Sequence, residues 1–345
     1  MRAATMRDVA ALAGVGVKTV SRVVNGEGGV SPELHARVLE AIGRLDYQRD
    51  LHASMLRRSA RKTATIGLLL EDVANPFSSA LERAIEDAAR ARGVMVLAAS
   101  CDEDAERERR LIATMRERRV DGIVLVPAAG AVHGYLDADR RANRWVVFVD
   151  RPPRFLDADV VVSDNHAGAR AAVEHLLKRG HVRIGYLGDD TAIYTAAERF
   201  RGYRDALAGH GVAPDPAIER AGLRSIAEAE RAVIELLSSG SPPTALFASQ
   251  NLVTIGALHG LRARGAQRDV ALVGFDDFPL ADLLEPGVTV VAQDPLALGR
   301  AAADLLFRRL DGDDAAWRRV VIPVELVARG SGELAPPTGN GRRRR

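Results

Sequence analysis

The chain has 345 residues, of which 47% are hydrophobic and 27% are charged, and its formal net charge is only +2. This composition is typical of a globular protein with two or three domains and excludes a disordered or membrane-embedded chain. No apolar run is long enough for a secretion signal or a membrane span, and the lone Cys101 excludes an internal disulfide, so we expect a cytoplasmic protein with no membrane partner.

The basic residues are concentrated at the two ends of the chain. Residues 1–64 hold 11 Lys and Arg against 6 Asp and Glu, and the last four residues, 342–345, are all Arg. The sequence between them holds 33 basic against 40 acidic residues. Only the two ends are therefore predicted to attract a polyanion.

The N-terminal segment predicts two short helices joined by a tight turn. Thr5 and Asp8 form a start that resembles a capping box, and apolar residues then recur at helical spacing. Gly14 stands where the end of a helix favours a residue that tolerates positive φ, and a second helix can run from about Val17 to Asn25. Two such helices with a glycine in the turn make a helix-turn-helix.

The second helix has an apolar side, formed by three valines, and a polar side. The residues that fall together on the polar side are Val17, Lys18, Ser21, Arg22 and Asn25. Lys18 and Arg22 are four residues apart, so both can reach guanine O6 and N7 in a DNA major groove. Ser21, Asn25 and Thr5 suit phosphate oxygens, which position a helix without reading the base sequence.

The run Asp-Val-Ala-x-x-Ala-Gly-Val-x-x-x-Thr-Val-Ser-Arg-Val-Val-Asn-Gly resembles the DNA-binding headpiece of the lactose-repressor (LacI/GalR) family of bacterial transcription regulators. The resemblance implies that Val17, Lys18 and Arg22 read bases. It implies that the DNA backbone is held by Thr5, Thr19, Ser21 and Asn25. Gly16 departs from the family, which usually has a Ser or Thr cap there.

A third helix and a basic linker follow. Ser31 is a predicted N-cap, with Pro32 at the first helical position. By the same resemblance, the linker matches the family's hinge helix, in which Leu56 wedges into a base step of the operator's minor groove and Ala53 makes a close contact. We therefore predict a helix-turn-helix domain (1–48), a hinge (49–63), an effector-binding and dimerisation domain (64–332) and a disordered tail (333–345).

From Thr65 onward, near-continuous apolar runs alternate with amphipathic segments, which predicts parallel β-sheets covered by helices on both faces. The first series of runs is 66–70, 94–98, 122–126 and 145–149, and the second is 160–162, 184–187, 245–248 and 271–274. Two doubly wound sheets imply a cleft with ligand groups at the carboxyl ends of strands. The expected fold is thus an all-α three-helix headpiece plus an α/β effector domain, similar to periplasmic sugar-binding proteins, with two parallel-sheet subdomains.

Polar and aromatic residues stand at several predicted strand ends or on the helices that follow them. Those that we assign to an effector site are Phe77, Asp150, Arg151, Thr195, Arg199, Asn251 and Asp276. Carboxylates, an amide, an Arg and an aromatic ring suit a polyhydroxylated small molecule. The resemblance adds that Arg199 contacts effector, Phe77 stacks on it, and Asp150 and Asp276 bind hydroxyls.

Several assignments stay open. The family often has Asn-Asp where this chain has Gln250-Asn251, so one charge fewer leaves room for an acidic or phosphorylated sugar. Asp164 and Tyr203 fit structural and ligand roles equally well, and Asp277 fits a helix cap better than a ligand contact.

Enzyme and cofactor signatures are missing from the sequence. The glycines near position 14 lack the third glycine and the preceding strand of a dinucleotide loop, and no metal-ligand spacing or nucleophile elbow occurs, so we expect no cofactor and no catalytic or metal site. We predict a regulator, usually a repressor, that binds pseudo-palindromic double-stranded operator DNA as a homodimer and responds to a small-molecule effector, such as a sugar. The alternative is a sugar-binding module or an enzyme of sugar metabolism with an N-terminal dimerisation segment.

Overall fold

The computed structural model describes residues 4–25, 27–47, 63–138 and 144–337. By its internal contacts the chain divides into two compact units, residues 1–63 and 64–345. Ala53 and Leu56 of the expected hinge and the Arg run at 342–345 lie outside the described residues. Within the described ranges, no helix combines the length and the apolar character that a bilayer crossing requires.

Where the structure describes the first unit, three helices are present, α1 (Met6–Ala13), α2 (Val17–Val24) and α3 (Pro32–Arg44). Their apolar faces meet in a small core around Val9, Val20 and Val38, each fully buried. The predicted capping box of Thr5 and Asp8 is confirmed, and Gly14 ends α1 with φ +63°. The predicted cap of α3 is also confirmed, since the Leu34 N–H donates to the Ser31 hydroxyl at 3.4 Å.

In the described residues of the second unit, two six-stranded sheets are covered by helices. The elements around the first sheet are β1 (Thr65–Leu70), α4 (Pro76–Arg90), β2 (Met95–Ser100), α5 (Ala105–Glu117), β3 (Gly122–Leu125), β4 (Trp145–Val149) and β5 (Val160–Ser163). Those that follow are α6 (Asn165–Lys178), β6 (Ile184–Leu187), α7 (Tyr194–Gly209), β7 (Glu219–Arg220), α8 (Ile226–Leu237), β8 (Ala245–Ala248), α9 (Asn251–Ala263), β9 (Ala271–Phe275), β10 (Thr289–Ala292), α10 (Pro295–Leu310), β11 (Arg319–Ile322) and β12 (Glu325–Val327). Short 3₁₀ helices occur at Gly134–Leu136, Pro216–Ile218 and Ser331–Glu333.

Each sheet is the centre of one lobe. The first sheet has the order β11-β5-β4-β3-β1-β2 and is parallel throughout. The second has the order β12-β10-β9-β8-β6-β7, with β12 antiparallel to its neighbour. Apolar cores lie on both faces of each sheet, which explains the uninterrupted apolar runs of the central strands. The predicted architecture of a helix-turn-helix unit and a two-sheet α/β unit is confirmed.

Two details of the prediction were wrong. The run at 160–162 belongs to the first sheet, beside β4, because the chain crosses to the second lobe only after Ser163. The expected tail also begins too early. Glu333 ends a 3₁₀ helix, and Leu334 packs on the core of the second lobe while its carbonyl accepts from His181 Nε2 at 2.8 Å.

Candidate functional site

The outward side of α2 is the candidate DNA-binding surface. Its inward valines are buried, Val20 completely and Val23 to 8% exposure, whereas Val17 and Lys18 on the other side are exposed. Thr19, Ser21 and Arg22 are partly exposed. The structure thus places the predicted base-reading residues on one accessible side of the helix.

Some of the predicted phosphate contacts also have partners inside the unit. Thr5 donates to the Asp8 carboxylate at 2.7 Å as part of its cap. Asn25 Nδ2 donates to Ser21 Oγ and to Glu27 Oε1, both at 3.3 Å. Asn25 is also the C-cap of α2, so these side chains are held in place before any DNA is bound.

The start of α2 lacks a side-chain cap. Gly16 is the N-cap residue, with extended backbone, and no side-chain hydrogen bond forms there. The free N–H groups at a helix N-terminus favour an anion such as a phosphate. Because Gly16 stands where the family usually has a Ser or Thr, no side-chain hydroxyl accepts from the N–H groups at this end of α2.

The second candidate site is an open cavity in the second unit, at the carboxyl ends of the strands of both lobes, and the space of about 500 Å³ between its walls includes open solvent. All seven residues predicted for the effector site line it. Sequence reasoning also places Asn75, Ser249 and Gln250 shortly after predicted strands, and they line it as well. The residues that it missed are Glu71, Asp189, Ile193, Ala196 and Gln293. Glu71, Asp189 and Gln293 each come within two residues of a strand end, which is the signal that could have identified them.

Two aspartates occupy matching positions in the two lobes. Asp150 follows β4 and Asp276 follows β9, and both have φ +69°. The Asp150 N–H donates to the Val161 carbonyl at 2.8 Å, and the Asp276 N–H donates to the Val291 carbonyl at 2.9 Å. A left-handed φ is uncommon for a residue other than glycine, and it persists here because the sheet holds the neighbouring backbone in register. At these two strand ends, the carboxylates of Asp150 and Asp276 both line the cavity.

Arg199 on α7 is held by three contacts at the bottom of the cavity. Its Nε donates to Asn165 Oδ1 at 2.7 Å, and its Nη1 donates to the Ser249 carbonyl at 2.7 Å and lies 3.4 Å from Asp276 Oδ2. The guanidinium lies 3.9 Å from the centre of the Phe275 ring. Gln293 Nε2 donates to the other oxygen of Asp276 at 2.5 Å. These contacts hold an acceptor, the Asp276 carboxylate, beside a donor, the Arg199 guanidinium. Two neighbouring hydroxyls of a ligand need such a pair.

Burial changes the acidity of several cavity carboxyls. It raises the pKa of Glu71 from 4.5 to about 7, against the lowering effect of Arg151. Burial also raises the pKa of Asp150 and of Asp189, although Arg151 and the Asp190 N–H respectively oppose it. Strongly perturbed groups in a cleft are typical of functional sites.

Three residues with open assignments lie elsewhere. Tyr203 is fully buried and its hydroxyl donates to the Ile184 carbonyl at 2.9 Å, so its role is structural. Asp164 caps α6 by accepting from the Ala167 N–H at 3.1 Å. Asp277 pairs with Arg329 through two contacts of 2.7 and 2.6 Å, and no helix in the described residues begins there, so the expected helix cap was wrong.

Comparison with known proteins matches both units. The model for bacterial regulatory proteins of the lacI family matches residues 5–50, and the model for a periplasmic binding protein-like domain matches residues 173–332. The ribose operon repressor of Halalkalibacterium halodurans (strain C-125) is 34% identical over 330 residues, which cover 94% of this chain and 96% of the relative.

Two solved structures resemble the chain over nearly its whole length. One is the transcriptional regulator CelR in complex with cellobiose, with 31% identity, a TM-score of 0.71, and coverage of 95% of this chain and 99% of the other. The other is the Lac repressor dimer bound to operator and the anti-inducer ONPF, with 26% identity, a TM-score of 0.85, and coverage of 97% and 100%. Since a relative above 30% identity matches it almost from end to end, the chain belongs to the lacI family of bacterial regulatory proteins.

Proposed function

We propose that this DNA-binding regulator represses transcription by binding a pseudo-palindromic operator as a homodimer and that a sugar or sugar derivative in the cleft controls this binding. The observation that carries the proposal is the pairing of Arg199 with Asp276 in the lining of an open cavity, in a chain whose other unit is a helix-turn-helix. DNA binding also favours the cytoplasm as the place of action.

On the DNA side, Val17, Lys18 and Arg22 are the proposed base-reading residues. Their accessible position on α2 supports this role, since the N-terminal residues of a recognition helix contact base edges. The proposed backbone contacts are those of Thr5, Thr19, Ser21 and Asn25. Phosphate contacts dominate affinity and make it salt-dependent.

On the effector side, the proposed ligand residues are Phe77, Asp150, Arg151, Thr195, Arg199, Asn251 and Asp276. The names of the relatives favour a sugar, since one is a ribose operon repressor and another is in complex with cellobiose. Two carboxylates turned into the cavity and an immobilised guanidinium match the acceptors and donors that vicinal hydroxyls need.

The proposed link between the two sites is the segment 49–63. The sequence of this segment allows a helix of about two turns, and a helix that short is unstable alone in water, so we propose that its order depends on how two subunits present it. A coupling of about 1–3 kcal/mol, typical of allosteric proteins, is enough to shift such a marginal element. Ala53 and Leu56 stay proposed minor-groove contacts on sequence grounds.

Calorimetric titration tests the effector site directly. The full chain is titrated with D-ribose, D-xylose, D-glucose and cellobiose, alongside Arg199→Ala, Asp276→Ala and the surface control Arg201→Ala on the same helix. We expect one of these sugars to bind the wild type and the control, and to bind neither cleft variant. Full binding by both cleft variants would overturn the site.

Electrophoretic mobility shift on selected operator DNA tests the other surface. Arg22→Ala should lose specific binding and keep salt-sensitive nonspecific binding. Specific binding that survives this change would overturn the base-reading assignment. A sugar-binding module that only dimerises through its N-terminal helices, the alternative, would show no sequence preference in the wild type either.

A further inference from the structure

Arg151 and Arg199, the two arginines of the cleft, differ in how many carboxylates surround the guanidinium. The inference drawn from this difference rests on the proposed function, because it concerns which sugars the cleft binds. Arg151 is 6% exposed. Its Nη1 lies 2.6 Å from Glu103 Oε1 and donates to the Pro127 carbonyl at 2.9 Å. Its Nη2 lies 3.3 Å from Glu71 Oε2, and its Nε lies 3.3 Å from Asp150 Oδ2. One guanidinium thus faces three carboxylates.

Glu103 is positioned for this contact by its loop. The residue has φ +57° and follows Asp102 with φ +53°, two consecutive left-handed residues that are not glycine. Its second carboxylate oxygen accepts from the Ala129 N–H at 2.7 Å. A backbone conformation that side chains disfavour is kept only where surrounding contacts hold it. The loop therefore directs a carboxylate onto Arg151 from behind the cavity wall.

In the cavity lining, the opposite lobe contributes one guanidinium, that of Arg199. Arg199 is engaged by Asn165, the Ser249 carbonyl and Asp276. Among the residues that line the cavity, four are carboxylates, Glu71, Asp150, Asp189 and Asp276, and two are guanidiniums. Burial raises the pKa of Glu71, Arg151 lowers it, and Glu103, Asp150 and Asp189 raise it further, so three neighbouring carboxylates oppose its ionisation.

We propose that Glu103 and Glu71 are specificity-determining residues that neutralise Arg151 and make the cleft reject anionic effectors, such as sugar acids and sugar phosphates, in favour of uncharged sugars. The sequence at Gln250-Asn251 leaves an acidic sugar open as the effector. The carboxylates of Glu71 and Glu103 exclude such a sugar. Like charges brought together in a desolvated site oppose binding strongly, so selection by charge needs no steric barrier.

The test uses pairs of ligands that differ in charge and is run at about pH 8, where Glu71, with a pKa of about 7, is mostly ionised. The full chain, Glu103→Gln, Glu71→Gln and the exposed control Glu117→Gln are titrated with D-glucose against D-glucuronate and with D-ribose against D-ribose 5-phosphate. Glutamine at 103 can still accept from the Ala129 N–H. Glu71→Gln gives a second variant at a separate position, directly after β1.

We expect the wild type and the control to bind the uncharged member of a pair and not the anion. Either glutamine variant should bind the anion at least about tenfold more tightly than the wild type does. An anion that binds the wild type more tightly than its uncharged partner would overturn the charge selection, and so would glutamine variants with no gain for the anion. Absence of binding by any of the four ligands and by the wider sugar panel would instead overturn the proposed function.

Discussion

Asn251 donates a hydrogen bond across the cleft to Asn75, with 2.9 Å between Nδ2 of the first and Oδ1 of the second. Each amide is oriented by the start of its own helix. Asn251 Oδ1 accepts from the Leu252 N–H at 2.7 Å, and Asn75 Oδ1 also accepts from the Phe77 N–H at 3.1 Å. The Asn75–Asn251 bridge therefore joins the two lobes through side chains whose orientation is set within each lobe.

Removal of this bridge should favour the open cleft. Asn75→Ser keeps a good helix cap but is too short to reach Asn251, so we expect a loss of about 0.5–1.5 kcal/mol from the closed form. Small-angle scattering without ligand should give a larger radius of gyration, and effector affinity should fall. Asn75→Asp, which keeps the cap and the acceptor, is the matched control. Identical scattering and affinity for all three proteins would show that the bridge does not influence closure.

A hydroxyl added at the start of α2 should stabilise that helix. A Cβ at Gly16 would meet no atom within 4 Å, and the residue already has the extended backbone of an N-cap. Gly16→Ser should therefore slow hydrogen exchange of the α2 amides slightly, by a few tenths of a kcal/mol. Gly28→Ser, at another unhindered glycine, should leave those amides unchanged. Equal exchange in both variants would mean that the serine does not cap the helix.

The buried carboxyl of Glu71 should make stability depend on pH. Since its pKa is about 7 in the folded protein and 4.5 is its ordinary value, the folded state holds a proton that the unfolded chain has lost between these values. The free energy of unfolding should therefore contain a component that is full below about pH 4.5, falls up to about pH 7 and is constant above it. Urea unfolding across this range should show that Glu71→Gln lacks this component, whereas Glu117→Gln retains it. A wild-type slope unchanged by Glu71→Gln would contradict the assignment.

Asp159 should be important for the stability of the first lobe. It pairs with Arg309 at 2.6 and 3.1 Å, with both side chains 1% exposed, and Arg309 lies 4.5 Å from the centre of the Trp317 ring. Asp159→Asn leaves a buried guanidinium without its counter-charge and should cost about 3–5 kcal/mol. In the exposed pair of Asp304 and Arg308, Asp304→Asn should cost at most about 1 kcal/mol. Equal losses in chemical denaturation would refute this difference.

The sequence was most informative where one local rule decides the structure. The capping box of Thr5, the turn at Gly14 and the apolar run from Ile66 to Leu70 each depend on neighbouring residues alone. It was least informative where long-range pairing decides. Nothing in the run at 160–162 tells which sheet it joins, and the places of the short edge strands β11 and β12 also depend on long-range pairing.

The residues at the cavity also differ in whether the sequence predicts them. Residues placed at strand ends by their sequence, such as Asp150 and Asp276, do line it. Glu103 could not be found in this way, because it reaches Arg151 from a loop behind the wall and its position depends on two left-handed residues. Electrostatic balance in a cleft is a property of the folded arrangement and not of any one motif.

The central claim is that a ligand in the cleft of the second unit controls DNA binding by α2. Fluorescence anisotropy of labelled operator, selected from a random duplex pool, tests it with and without saturating sugar at fixed salt. We expect the wild type to prefer operator over random duplex and its operator affinity to change by at least about fivefold with sugar. Arg199→Ala should bind operator equally well and show no change. Operator affinity that is the same with and without a sugar bound to the wild type would contradict the account.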